Sequence, residues 1–130
     1  MENKIKQLRK GIFEMVILQI LRNEEYYGYS LIKTITDNCS FEINEGTIYP
    51  ILSRISKDEL IKSHWVESSK GPPRKYYFIT PKGEEVLDGL ELEFQNLSSL
   101  IIKTKKLKIN KKTKKKELKV DPKKEEKNEK

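Results

Sequence analysis

Apolar residues recur along residues 5–22 at helical spacing, with Ile5, Leu8, Ile12, Met15 and Val16 forming one stripe. Phe13, Ile17, Leu18, Ile20 and Leu21 widen that stripe beyond a single face, so the predicted first helix needs more than one packing neighbour. In so short a chain, a second subunit is a candidate for the extra neighbour. Asn23–Tyr27 reads as a polar connection, and Gly28–Asn38 as a shorter second helix with Leu31, Ile32 and Ile35 inward. Phe41 and Ile43 alternate with polar residues, which suggests a short extended piece. A third helix is expected over Thr47–Glu59, where Ile48, Ile51, Leu52 and Ile55 sit at i, i+3, i+4 and i+7. Pro50 lacks an amide donor, and Thr47 as N-cap would place it in the first turn, where none is needed.

A hairpin follows. Leu60–Ser69, with Trp65 and Val66, and Lys75–Thr80, with Tyr76, Tyr77, Phe78 and Ile79, are strand-like. Between them Lys70-Gly71-Pro72-Pro73-Arg74 reads as a loop that cannot continue a ladder. Thr80-Pro81 then carries an N-cap followed by proline at the first helical position. The fourth helix is expected to run to about Ile102, with Leu87, Leu90, Phe94, Leu97 and Ile101 spaced as a heptad seam. The fold class is therefore mainly α with a small β hairpin. Three helices and a hairpin form a winged helix-turn-helix, and a C-terminal dimerisation helix follows. The expected organisation is a winged-helix domain over residues 1–80, the dimerisation helix over 81–102 and a Lys-rich disordered tail over 103–130.

Charge sharpens this picture. The 130 residues carry a formal net charge of +7, but residues 103–130 alone hold 14 lysines against five acids, leaving residues 1–102 slightly negative. Beyond Lys103 the apolar positions Leu107, Ile109, Leu118 and Val120 are isolated among lysines, too few to offset ordering entropy. The N-terminus carries charges where a signal peptide needs an apolar run, and Met15–Leu21 is too short to span a bilayer. A single cysteine, Cys39, allows no internal disulfide and suits a reducing cytoplasm, where it is expected to be a small, at least half-buried residue. His64 is the only histidine and is expected on a strand surface; no multi-ligand metal site can be assembled from His and Cys within one chain. None of the six glycines forms a phosphate-cradling loop. No cofactor, no membrane contact and no enzymatic activity are expected.

Opposite its apolar stripe, the third helix offers Tyr49, Ser53, Arg54 and Lys57, side chains able to reach phosphates or base edges. On its own this face would pass for ordinary solvated surface. Residues 54–82, however, hold seven bases against three acids, while residues 83–102 hold five acids and no base. Positive charge concentrated beside a candidate recognition helix is what a polyanion selects for, and proline stiffens the hairpin tip that carries Lys70 and Arg74.

Gly46-Thr47-Ile48-Tyr49-Pro50-Ile51-Leu52, then Arg54-Ile55, Leu60-Ile61, Trp65, Ser68 and Gly71-Pro72-Pro73-Arg74-Lys75-Tyr76-Tyr77-Phe78-Ile79-Thr80-Pro81-Lys82-Gly83, resemble the PadR transcriptional regulators over about residues 8–102. The resemblance implies a bacterial or archaeal winged-helix repressor, dimeric through its last helix, with the third helix in the major groove of double-stranded DNA. It assigns Thr47, Tyr49, Ser53, Arg54 and Lys57 to the recognition helix and Lys70, Gly71, Arg74 and Lys75 to the wing. Some relatives release DNA when a planar aromatic compound enters the dimer interface. Phe94 occupies the matching place here, with Phe13 and Met15 as candidate lining. The family usually carries glycine before the Leu-Ile that opens the hairpin, where this chain has Glu59. The lysine tail is no part of the family pattern.

The expected dimer pairs the Leu87/Leu90/Phe94/Leu97/Ile101 seam with its mate and with the other subunit's first helix. Taken together, the residues and the resemblance predict a cytoplasmic homodimeric repressor that occupies a palindromic operator and is released by a small aromatic effector. The rival readings are a winged-helix protein-interaction adaptor and an RNA-binding protein without sequence-selective DNA binding. The tail reads as solvated polypeptide or as a non-specific attraction to the DNA backbone.

Overall fold

A computed structural model describes residues 1–109 of the chain. Helix α1 spans Glu2–Asn23, strand β1 Tyr26–Tyr27, helix α2 Gly28–Cys39 and helix α3 Glu45–Lys57. Strands β2 (Ile61–Ser68) and β3 (Gly71–Ile79) follow, and helix α4 runs Pro81–Ile109. The sheet is antiparallel in the order β1-β3-β2. Met1–Leu92 forms one compact unit, and the described residues from Glu93 to Ile109 belong to a second.

The predicted apolar stripes make the core of the first unit. Ile17, Leu18 and Leu21 of α1 meet Leu31 and Ile35 of α2, Ile48, Leu52 and Ile55 of α3, and Ile61 of β2, all buried. The first turns of α4 join them: Leu87 is fully buried and Val86 packs alongside. Leu87 thus belongs to the core of its own chain, not to a seam facing a mate. Arg22 near the end of α1 fastens this packing, donating to Asp88 Oδ1 at 2.7 Å and to the Glu84 carbonyl at 3.1 Å.

Three local expectations are corrected. The Asn23–Tyr27 connection contains β1, which pairs Tyr26 with Tyr77 and Tyr27 with Tyr76, whereas Phe41–Ile43 forms no strand. The N-cap of α3 is Asn44, not Thr47: the Asn44 side chain accepts from the Thr47 amide at 3.2 Å. Pro50 consequently lies inside the helix. Its missing donor leaves the Gly46 carbonyl free, and because both residues are exposed, water can bond that carbonyl. Finally, the hairpin turn is only Ser69-Lys70, and β3 runs through Pro72 and Pro73. The ladder tolerates them through an irregularity between Val66 and Ser68, opposite the prolines.

Thr80 does cap α4, its hydroxyl accepting from the Gly83 amide at 3.0 Å. The same hydroxyl lies 2.8 Å from the Glu59 carbonyl and 3.0 Å from that of Leu60, donating to this pair and joining the start of α4 to the entry of β2. The helix continues past Ile102 to Ile109; the rest of the expected tail, residues 110–130, lies outside the described residues.

Helix α3 ends as the family's glycine would end it. Glu59 has φ 60°, the Leu60 amide reaches the Ile55 carbonyl at 2.9 Å, and the Glu59 amide reaches that of Ser56 at 3.0 Å. These two bonds close a left-handed helix terminus in which a Cβ is strained. Glu59→Gly is expected to stabilise the fold by about 1 kcal/mol. A urea midpoint unchanged or lowered would show that the glutamate is not strained there.

Candidate nucleic-acid interface

The solvent-facing stripe of α3 is built from Gly46, Pro50, Ser53 and Lys57, all exposed and spaced 4, 3 and 4 residues apart. The expected recognition residues distribute around it. Ser53 and Lys57 lie on the stripe. Tyr49, 43% exposed, flanks it on the side of α2 and the sheet, and its ring lies so close to Gly28 that a Cβ there would sit 2.6 Å from it. Glycine at the start of α2 is thus what lets this tyrosine lie down.

Thr47 and Arg54 occupy the other flank, toward α1. Thr47 is half-buried and its amide is committed to Asn44. Arg54 is not a free cation: its Nε and an Nη donate to Glu14 Oε2 of α1 at 3.3 and 3.1 Å. The partner lies forty positions away on another helix, so the periodicity of α3 does not reveal it.

The wing carries its charge on both faces, because neighbours along a strand point in opposite directions. Trp65 pairs with Lys75 and Ser63 with Tyr77, on the face that turns toward the core. Tyr77 is buried there, and burial, then the nearby Tyr49, pushes its phenol above the ordinary range. Lys75 Nζ lies 5.6 Å from the Tyr77 ring centroid, and Trp65 beside it is 68% exposed. Trp65 is a further candidate contact that charge-based reading of the hairpin passed over; a large aromatic near a basic strand end was its signal. Val66 pairs with Arg74 and His64 with Tyr76 on the opposite face. There Arg74 sits 4.5 Å over the Tyr27 ring, and His64, exposed as expected, contacts Glu25. Lys70 and Gly71 are exposed at and beside the turn. The expected wing residues therefore share one hairpin but not one face.

The candidate effector residues are not gathered in the first unit. Phe13 lines an apolar cleft of about 320 Å³ with Ile12, Val16, Ile35, Phe41 and Ile43. Met15 packs against the core outside that lining, and Phe94, in the second unit, is 47% exposed. Cys39, expected to be at least half-buried, is exposed at the end of α2. From α4, Leu90, Phe94, Leu97 and Ile101 are all exposed. Among the described residues no helix is long and apolar enough to cross a membrane.

Comparison with known proteins places this architecture. A protein of Lysinibacillus sphaericus, itself uncharacterised, is 33% identical over 94 residues, covering 71% of this chain and 86% of its own length. A PadR-family transcriptional regulator from Eggerthella lenta superposes with a TM-score of 0.71 at 33% identity, over 79% of this chain and 89% of the other. A PadR-like transcriptional regulator from Bacillus cereus superposes with a TM-score of 0.65 at 39% identity, over 75% and 95% of the two chains. The model of the transcriptional regulator PadR-like family matches residues 17–89, more than half of the sequence. With the winged architecture and the Gly46–Pro50 and Gly71–Gly83 motifs in place, the chain belongs to the transcriptional regulator PadR-like family.

Proposed function

We propose that the protein is a homodimeric repressor that binds an inverted-repeat operator in double-stranded DNA and is released by a small planar aromatic effector. One observation carries this reading: α3 presents an exposed stripe, with Ser53 and Lys57 in its C-terminal half, beside a two-stranded wing bearing Lys70, Lys75 and Trp65. In this reading α3 enters the major groove, Tyr49 and Ser53 meet base edges or phosphates, and the wing follows the adjacent backbone. Arg54 acts from the flank, held by Glu14, and guides the strand bordering the groove.

Support for a second copy comes from Leu90, Phe94, Leu97 and Ile101, which repeat at helical spacing and stay exposed in the single chain. An isologous pairing along them would give the two-fold symmetry that matches operator half-sites about 34 Å apart, one duplex turn. An aromatic effector seated beside Phe94 would act through its differential affinity for the two arrangements of that dimer.

Selection of bound fragments from random duplex DNA tests the reading. The expected result is a motif with two-fold symmetry, bound by a species of dimeric mass. Recovery of no motif at moderate salt, together with a stable protein partner in a pull-down, would replace it with a protein-docking role for the winged helix.

A further inference from the structure

The first turns of α1 carry an exposed basic cluster that the recognition-helix reading does not use. Lys6, Arg9 and Lys10 stand at i, i+3 and i+4, so they share one face of the helix. That face borders a groove of about 400 Å³ whose other wall is the α1-facing flank of α3, namely Gly46, Thr47, Pro50 and Arg54. Helix α1 has two acids: Glu14 is already engaged by Arg54, and Glu2, one turn before Lys6, lies outside the groove lining. Among the described residues, neither Lys6, Arg9 nor Lys10 lies within ion-pair distance of a carboxylate. Arg9 is held in place from below, its guanidinium 4.9 Å over the ring of Phe41.

Like charges one helical turn apart repel, and Lys6 and Lys10 are such a pair. A groove whose lining holds four cations and no carboxylate therefore gains most from an extended polyanion laid in it. Its position names that polyanion, because Gly46 and Pro50 belong both to the groove wall and to the outward stripe of α3. A ligand in the groove is thus continuous with a duplex read by α3.

We infer that the groove between α1 and α3 seats the phosphodiester strand bordering the major groove, with Lys6, Arg9 and Lys10 neutralising successive phosphates. This rests on the DNA-binding reading above and adds a backbone clamp to it. The clamp positions the recognition helix and reads no sequence.

The test compares the unaltered protein with the double variant Lys6→Ala/Lys10→Ala, and with Lys33→Ala as a control. Lys33 sits on α2 outside the groove and pairs with Asp37 at 3.7 Å. Affinity is measured against salt on a random-sequence duplex and on a selected duplex, after thermal denaturation confirms that each variant is folded. The double variant is expected to flatten the slope of log affinity against log salt by about 2 for each protomer bound, hence about 4 for a dimer, near 0.9 per lost phosphate contact. Affinity should fall by the same factor on both duplexes, and Lys33→Ala should leave the slope in place. An unchanged slope in the double variant overturns the clamp, as does an equal change from Lys33→Ala, which would make the effect one of net charge alone. A selective loss on the selected duplex overturns its sequence-blind role. If the unaltered protein binds neither duplex, the DNA reading itself fails, an outcome distinct from all of these.

Discussion

Gly83→Ala is expected to cost about 3 kcal/mol or more, a large share of the roughly 5–15 kcal/mol that holds a domain of this kind folded. A Cβ on Gly83 would lie 2.0 Å from the Leu60 carbonyl oxygen and 2.8 Å from Ile79 Cγ1. The carbonyl cannot swing aside cheaply. It accepts from the Thr80 amide at 3.0 Å, and the Thr80 hydroxyl lies at 3.0 Å as well. Relief of the clash would break these bonds in a buried place, where an unpaired polar group is costly. Gly89, in the same helix, has nothing within 4 Å of its would-be Cβ, so Gly89→Ala should stabilise by about 0.5–1 kcal/mol through helix propensity alone. Urea denaturation of the two variants should move the midpoint in opposite directions. A Gly83→Ala midpoint equal to that of the unaltered protein would mean that α4 does not begin against the β2 entry.

Leu87→Ala should cost about 2–5 kcal/mol, the range for emptying a fully enclosed leucine site. The leucine is buried within the core of its own chain, so the loss should appear at every protein concentration. Leu97, half exposed on the same helix, should behave differently. Leu97→Ala leaves the isolated chain within about 0.5 kcal/mol of its parent, and its effect should enter through association, seen as a shift of sedimentation mass with dilution. A Leu87→Ala loss as small as that expected of Leu97→Ala in the monomer would remove Leu87 from the core.

Most of the architecture was legible because helices announce themselves locally. The spacing of Ile48, Ile51, Leu52 and Ile55 reports a buried face with no knowledge of what buries it, and Thr80-Pro81 marks a helix start from two adjacent residues. What was missed depended on partners distant in sequence. Tyr26–Tyr27 is too short to show alternation, and it is a strand only because β3 lies beside it. Leu87 satisfies a heptad seam and a core position equally well, and only the packing of α1 against α4 decides between them. Asn44 and Thr47 are both competent N-caps, and the chain uses the earlier one at the expense of an interior proline.

The candidate interface divides in the same way. Ser53 and Lys57 follow from helical geometry and lie where expected. Arg54 is a surface cation by periodicity but a bonded one in space, because Glu14 comes from another helix. Lys6, Arg9 and Lys10 escaped notice because charge summed along the chain does not register a groove whose two walls are forty residues apart.

The two prolines of β3 have a consequence for how the molecule behaves in a crowded solution. Pro72 and Pro73 have no amide hydrogen, so this stretch of β3 lacks two consecutive donors. Strand β1 reaches only Tyr76 and Tyr77 of β3, which leaves the tip's outer rim uncovered. An uncovered rim with a full set of donors is a template on which foreign strands add and sheets grow into aggregates. With Pro72 and Pro73 in that stretch the β3 rim offers only an interrupted template, which leaves the outer edge of β2 as the one side of the hairpin with a full row of donors.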